Sequence, residues 1–178
     1  MSDDDLLFRD AEAADLPILH ALIESAYRGE RARVGWTHEA DLIEGPRTSR
    51  AELAEIVAAA DSLLLVAERA GAIVGCVQLS RRAPDGAYLG MLTVDPDRQA
   101  GGLGKRLIAA AEAEAARRFG ARRIELTVIS QRAELIAYYE RRGYVATGET
   151  RPFPIALVPP LALAVLEKPL AGAAAGVR

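Results

Sequence analysis

The sequence predicts an α/β domain built on a mixed, mostly antiparallel central sheet with helices on both faces. Three observations carry that expectation. Apolar runs with strand and helix periodicity follow one another in the order β–α–α–βββ–α–β–α–ββ. The three consecutive strands are joined by tight turns, which makes an antiparallel meander. The apolar run Arg123–Ile129 follows a long helix, the arrangement of a parallel crossover. Helices layered on such a sheet bury these pieces in one domain, residues 1–170, and leave 171–178 as a frayed tail.

Taken in order, Leu6–Arg9 reads as the first strand. A helix starts at Ala14 or Asp15 with Pro17 in its first turn, where a missing N–H costs nothing. Ile18, Leu19, Leu22, Ile23 and Ala26 supply its apolar face. Tyr27–Trp36 breaks the periodicity with two glycines, three arginines and two aromatics, and reads as a loop. Thr37–Ile43 suits a short helix capped by Thr37, and Gly45-Pro46 punctuates. Ser49 caps the next helix, Arg50 to about Ala60, with Glu52 at the capping-box position. Leu63–Glu68 and Ala72–Arg81 form a hairpin about Arg69-Ala70-Gly71, and Ala83–Gly86 turns the chain into a third strand, Ala87–Val94. A glycine cluster follows, then a helix to Phe119 with Leu103, Leu107, Ala111 and Ala115 on one stripe and Gly120 as its stop. The strand Arg123–Ile129, the helix Ala133–Arg142 stopped by Gly143, the strand Tyr144–Thr147, a loop Arg151–Pro160 with four prolines and a last strand Leu161–Glu167 complete the chain.

Composition excludes several classes. A formal charge of −3 argues against nucleic acid as the main partner. The lone Cys76 cannot form an intramolecular disulfide, and no Cys/His cluster has metal-ligand spacing, so no metal is expected. The acidic start M-S-D-D-D lacks the positive region of a signal peptide. The longest apolar run, Phe153–Leu166, is short and carries three prolines, so no membrane span is expected. A reducing, cytoplasmic setting is the simplest expectation.

Leu92–Arg106 carries the chemistry. A strand ends at Val94, Asp95-Pro96 stops it, and Gly101, Gly102 and Gly104 lead into a helix. A helix N-terminus offers N–H groups and a partial positive charge, and glycines let a phosphate approach the backbone. A Walker loop fails, because Gly104-Lys105 is followed by Arg106 and the earlier glycine position is Gln99. A dinucleotide fingerprint fails, because the third glycine position after Gly102 and Gly104 is Leu107. What remains, V-D-P at Val94–Pro96 followed by Q-A-G-G-L-G at Gln99–Gly104, resembles the acyl-CoA signature of the GNAT superfamily of acyl-CoA-dependent N-acetyltransferases. Ala137–Tyr144, A-Y-Y-E-R-R-G-Y, is similar to that superfamily's second motif. The two motifs cover about Ala87–Gly148, and the flanks match in layout only. Two positions depart from the pattern: Ala100 stands where Gly is frequent, and Arg132 where Asn is frequent.

The resemblance implies a GNAT-like fold and a set of roles. Gln99, Ala100, Gly101, Gly102, Leu103, Gly104 and Lys105 would bind the CoA pyrophosphate through backbone N–H groups. Lys105 and Arg106 stand either as phosphate partners or as a solvated helix start. Leu92, Thr93 and Val94 would pair with the pantetheine arm as if it were a strand, with a backbone N–H near Leu92 polarising the thioester carbonyl. Arg132 could meet a phosphate or the pantetheine. Tyr139 would be the general acid that protonates the departing thiolate, with Tyr138 a packing residue. Glu125 and Glu30 are candidate bases, a surface carboxylate being the simpler reading of each. The segments Tyr27–Trp36 and Arg151–Pro160 could form an acceptor pocket, with Trp36, Arg28, Arg31 and Arg33 binding an aromatic or anionic acceptor; a packing Trp and a solvated rim fit as well. His20 and His38 match no motif, and Cys76 reads as a buried small hydrophobe.

The expectation is therefore an enzyme that moves acetyl from acetyl-CoA to a primary amine of an unidentified small-molecule acceptor, through direct attack without a metal or covalent intermediate. The rivals are a non-catalytic acyl-CoA-binding or sensor module of the same fold, and an unrelated nucleotide binder. Dimerisation is open: the last strand and its proline-rich approach could reach a second copy.

Overall fold

The computed structural model describes residues 5–28 and 45–171. The expected helix Thr37–Ile43, the loop residues 29–36 and the tail beyond Ala171 lie outside the described residues. Among the described residues, seven strands, β1 (Leu6–Asp10), β2 (Ser62–Arg69), β3 (Ala72–Arg82), β4 (Gly86–Val94), β5 (Arg123–Ile129), β6 (Val145–Pro152) and β7 (Ala162–Pro169), form one sheet in the order β1-β2-β3-β4-β5-β7-β6. The described residues also form four α-helices: α1 (Leu16–Tyr27), α2 (Arg50–Ala58), α3 (Leu103–Phe119) and α4 (Ala133–Glu140). Pairs β1/β2, β2/β3, β5/β7 and β6/β7 are antiparallel, and β4/β5 is parallel, as the crossover predicts. The described residues fall in two compact units, one within Met1–Ser80 and Met91–Ala113, the other within Arg81–Gly90 and Glu114–Arg178.

In the first unit, α1 and α2 lay apolar stripes on β2, β3 and the end of β4. Leu19, Ile23, Ala26, Leu53, Leu64, Val66 and Cys76 are buried together, with Met91 and Tyr27 at the margin of the cluster. Ile18, expected on the α1 face, is 56% exposed, because the buried stripe steps through positions 19, 23 and 26 and leaves Ile18 a rotation of about 100° away. Tyr27 is the last residue of α1 instead of the first of a loop, since its ring has a core to enter. Ser49 caps α2 as expected: its Oγ accepts from Glu52 N, and the Glu52 carboxylate accepts from Ser49 N. The β2–β3 hairpin turns on two left-handed residues, Ala70 (φ 50°) and Gly71 (φ 77°), which suits a two-residue turn between twisted strands. Arg9 bridges Asp15 (2.7 Å) and Glu68 (2.9 Å), tying β1, the entry to α1 and β2.

In the second unit, Ile124, Leu126 and Val128 of β5 and Val165 and Leu166 of β7 are buried with Tyr139 and Tyr144. Gly120, at φ 61°, ends α3, and Arg81 donates to the carbonyl of Phe119 at 3.1 Å while its guanidinium lies 5.1 Å from that ring. Helix α4 stops at Glu140, two residues before the expected end, because Gly143 at φ 92° reverses the chain and draws Arg142 N and Gly143 N onto the carbonyls of Tyr139 and Glu140. Strand β6 runs to Pro152, beyond the expected Thr147, and the loop correspondingly begins after Pro152. Its residues are almost all exposed; the ladder to β7 holds it, with an irregularity between Ala146 and Thr150 where Gly148 takes φ 84°. The last strand starts one residue later than expected and reaches Pro169.

Candidate functional site

The first unit contains the stretch Leu92–Arg106. Along β4 the ladder to β5 comprises Gly86–Tyr88 against Arg123–Glu125. At Met91 the backbone turns left-handed, φ 53°, unusual for a side chain that is not Gly, Asn or Asp. The carbonyls around that kink are taken up by side-chain hydroxyls. Thr93 Oγ1 donates to Met91 O at 2.9 Å, and Tyr27 Oη donates to Leu92 O at 2.5 Å, both buried. On the other side, β3 comes very close: a Cβ on Gly75 would stand 2.7 Å from Thr93 O, so only glycine fits there. Asp95 N donates to Val74 O at 2.9 Å and completes the attachment. Leu92, Thr93 and Val94 are all buried, so what they can offer a ligand is backbone.

A 3-10 turn, Pro96–Gly101, follows, opened by the Asp95 carboxylate accepting from Asp97 N. Gln99 and Ala100 lie in this turn. Gly102 then takes φ 69° and swings the chain into α3. A Cβ placed on Gly101 or on Gly102 would meet nothing within 4 Å, so both backbones face open space. Leu103 is buried and anchors the helix start, Gly104 is buried beside it, Lys105 is exposed and Arg106 is half-buried. An open left-handed glycine thus stands before the first turn of a 17-residue helix, and the first backbone N–H groups of a helix are donors to which anions in general bind. Leu103, Leu107, Ala111 and Ala115 are buried as the stripe predicts.

Cys76 lies in the same unit, fully buried, and burial pushes its thiol up to about 12, with the Thr93 hydroxyl partly opposing. It is therefore a packed thiol and no nucleophile. Among the described residues, no group of His, Cys, Asp and Glu is arranged to hold a metal ion.

The second unit contains the second motif. Arg132 precedes α4 and accepts through its carbonyl from Leu135 N and Ile136 N; its side chain is half-buried. Tyr139 is 5% exposed and sits between two other rings, edge-on to Tyr138 (centroids 5.5 Å) and to Tyr144 (5.6 Å). Cations end this row of three rings: Arg142 lies 3.3 Å from the Tyr138 centroid and Lys168 lies 5.6 Å from that of Tyr144. The Lys168 stem also lies along Gly143, whose added Cβ would meet Lys168 Cε at 3.3 Å. Tyr138 is half-buried and packs, as expected; burial raises its hydroxyl, with Arg142 opposing. Glu125, a candidate base, is held by both guanidinium nitrogens of Arg151, at 2.7 and 3.1 Å, and Arg151 also reaches Glu149. That pairing keeps Arg151 cationic and occupies both carboxylate oxygens of Glu125. His20 belongs to α1 and takes no part. Glu30, Arg31, Arg33, Trp36 and His38 lie outside the described residues, and Arg28 donates to Gly45 O at 3.0 Å.

Two residues touch β4 without any sign of it in the sequence: Tyr27, expected in an acceptor loop, and Gly75, expected only as part of a strand. Each acts on β4 from far away in the chain, Tyr27 across 65 positions, and no local pattern announces such a contact.

The class defined by this strand, kink, glycine turn and helix agrees with comparison to known proteins. The model of the Acetyltransferase (GNAT) family matches residues 22–144, well over half the chain, and this chain belongs to that family. Solved structures share its fold. The ribosomal-protein-S18-alanine N-acetyltransferase of Escherichia coli is 21% identical with a TM-score of 0.74, over 97% of this chain and 99% of the other. A mutant of the spermidine N-acetyltransferase SpeG of Vibrio cholerae is 18% identical with a TM-score of 0.72, over 97% and 98%. The yncA protein of Salmonella typhimurium, with its cofactor acetyl-CoA, is 21% identical with a TM-score of 0.70, over 97% and 98%. No curated protein sequence matches.

Proposed function

We propose that this chain transfers the acetyl group of acetyl-CoA to a primary amine of a small-molecule acceptor by direct attack. The observation that carries the reading is the kinked end of β4 leading into an open glycine turn at the start of α3. Gln99–Lys105 receive the CoA pyrophosphate through backbone N–H groups, and Leu92–Val94 receive the pantetheine arm. The amine attacks the thioester carbonyl carbon, and charge builds on the carbonyl oxygen, where a backbone N–H near Leu92 lowers its energy. Collapse breaks the C–S bond, and Tyr139 gives its proton to the leaving sulfur. The attacking nitrogen sheds a proton to solvent or to a carboxylate; the Arg151 pairing counts against Glu125 in that role. The solved neighbours act, by their names, on an alanine of ribosomal protein S18 and on spermidine. At such low identity they favour no acceptor here. No helix of the described residues is long and apolar enough to cross a membrane, and a buried lone thiol suits a reducing cytoplasm.

The test is release of free CoA thiol from acetyl-CoA over a panel of amines, by the unaltered chain and by Tyr139→Phe. Turnover with at least one amine, falling by about 10²-fold or more in Tyr139→Phe while acetyl-CoA still binds, supports the reading. Tight binding of acetyl-CoA without thiol release on any amine would favour the sensor alternative.

A further inference from the structure

We propose that Tyr27 is a positioning residue that fills the acceptor at Leu92 on the free edge of β4 and so leaves the Leu92 N–H as the group aimed at an acyl carbonyl. The inference rests on the acetyl-CoA reading given above.

Within a strand, the carbonyls of successive residues point to opposite edges, while the N–H and C=O of one residue point to the same edge. Thr93 O faces β3, where it lies against the Gly75 backbone. Leu92 O therefore faces the opposite edge, and it is there that Tyr27 Oη donates to it, at 2.5 Å. Leu92 N–H shares that edge. A bare strand edge presents a donor and an acceptor alternately and pairs with any peptide-like arm in either register. Here the acceptor at Leu92 is filled by the protein's own hydroxyl. A ligand laid along this edge meets a donor at Leu92 and must bring an acceptor, and a thioester carbonyl is one.

Three further features show that this hydroxyl belongs to a built arrangement. The Tyr27 ring is buried at the end of α1, with the Arg47 guanidinium 5.1 Å from its centroid, so its position is fixed from two sides. The neighbouring carbonyl, Met91 O, is filled in the same way by Thr93 Oγ1 at 2.9 Å. Met91 itself holds a left-handed φ of 53°, a conformation that persists only where surrounding contacts impose it. Removing the Tyr27 hydroxyl would leave Leu92 O buried and unsatisfied, and the cheapest relief is rotation of the 92–93 peptide, which drags the neighbouring amide off its aim.

Tyr27→Phe keeps the ring and deletes only the donor. Kd values for CoA and for acetyl-CoA are measured by calorimetry on the full chain, together with the infrared C=O stretch of bound acetyl-CoA carrying a 13C-labelled carbonyl. CoA affinity is expected to stay within about twofold. Acetyl-CoA affinity is expected to fall about three- to tenfold, the worth of one hydrogen bond, and the C=O stretch to move back toward its value in water. Tyr27→Met, a second removal of the same donor by an adaptable apolar side chain, is expected to repeat the pattern, which covers the case of Tyr27→Phe failing to fold. An unchanged acetyl-CoA Kd and C=O stretch in both variants overturns the inference, as does an equal loss of CoA and acetyl-CoA affinity. A wild-type chain that binds neither CoA nor acetyl-CoA overturns the acetyl-CoA reading instead, so the two failures are separable.

Discussion

Replacing Gly101 by Ala adds one methyl group at a point where the protein itself has no use for the space. The added Cβ would meet no atom of the chain within 4 Å, and the Gly101 backbone lies outside the left-handed region, so Ala can adopt it without strain. Folding stability should therefore hold or rise slightly, because Ala loses less backbone entropy than Gly. If the turn cradles a pyrophosphate, the same methyl stands where the phosphate oxygens must approach, and one charge-assisted hydrogen bond is lost. Such a bond is worth about 1.5–3 kcal/mol, or about a ten- to hundredfold loss in CoA affinity. Gly102→Ala is the contrast. It too has open space, but its φ of 69° charges an L-residue about 1–2 kcal/mol, which at this chain length lowers Tm by a few degrees. Calorimetric titration with CoA and thermal melts of both variants make the comparison. Gly101→Ala with unchanged CoA affinity, or with a loss of stability matching that of Gly102→Ala, would refute the cradle.

The remaining expectations concern pH and reactivity. The Asp15 carboxyl is held below its ordinary value of 3.8, chiefly by its hydrogen bonds from Arg9. The stabilisation this brings is present above the unfolded-state value and is lost as pH falls through the folded one. Asp15→Asn should therefore be less stable than the parent near pH 7 and show a shallower loss of Tm between about pH 5 and pH 3; an acid limb as steep as the parent's would contradict this. The Cys76 thiol, pushed up to about 12 by burial, should resist iodoacetamide at neutral pH and react at the rate of unfolding. Prompt stoichiometric labelling of the native chain would show a different environment.

Much of this architecture was legible in the residues, for reasons that differ by element. The capping box at Ser49–Glu52, the turn at Ala70-Gly71 and the helix stops at Gly120 and Gly143 are local chemistry, readable within a few positions. The Val94–Gly104 stretch was readable through its resemblance to the GNAT signature, whose strand end, glycines and helix start are local sequence features, and the family match over residues 22–144 agrees. Strand β6 was only half legible: V-A-T-G-E-T-R-P has no alternation of apolar and polar residues, and β7 supplies the order through its ladder. The kink at Met91 was not legible, since nothing in G-M-L-T calls for a positive φ. Gly75, Thr93 and Tyr27 impose it together, from β3, β4 and α1. For Tyr27 the sequence pattern pointed the other way, because two glycines and three arginines from position 28 to 35 make the end of α1 read as a loop.

The proposed function requires Leu92–Arg106 to be the acyl-CoA donor site. Thermal shift of the unaltered chain with acetyl-CoA, ATP and NAD at equal concentrations tests it most directly, because a ligand that binds only the folded state raises Tm with its saturation. The expected result is a rise with acetyl-CoA that exceeds those with ATP and NAD and that shrinks in Gly101→Ala. A rise with ATP or NAD and none with acetyl-CoA would contradict it.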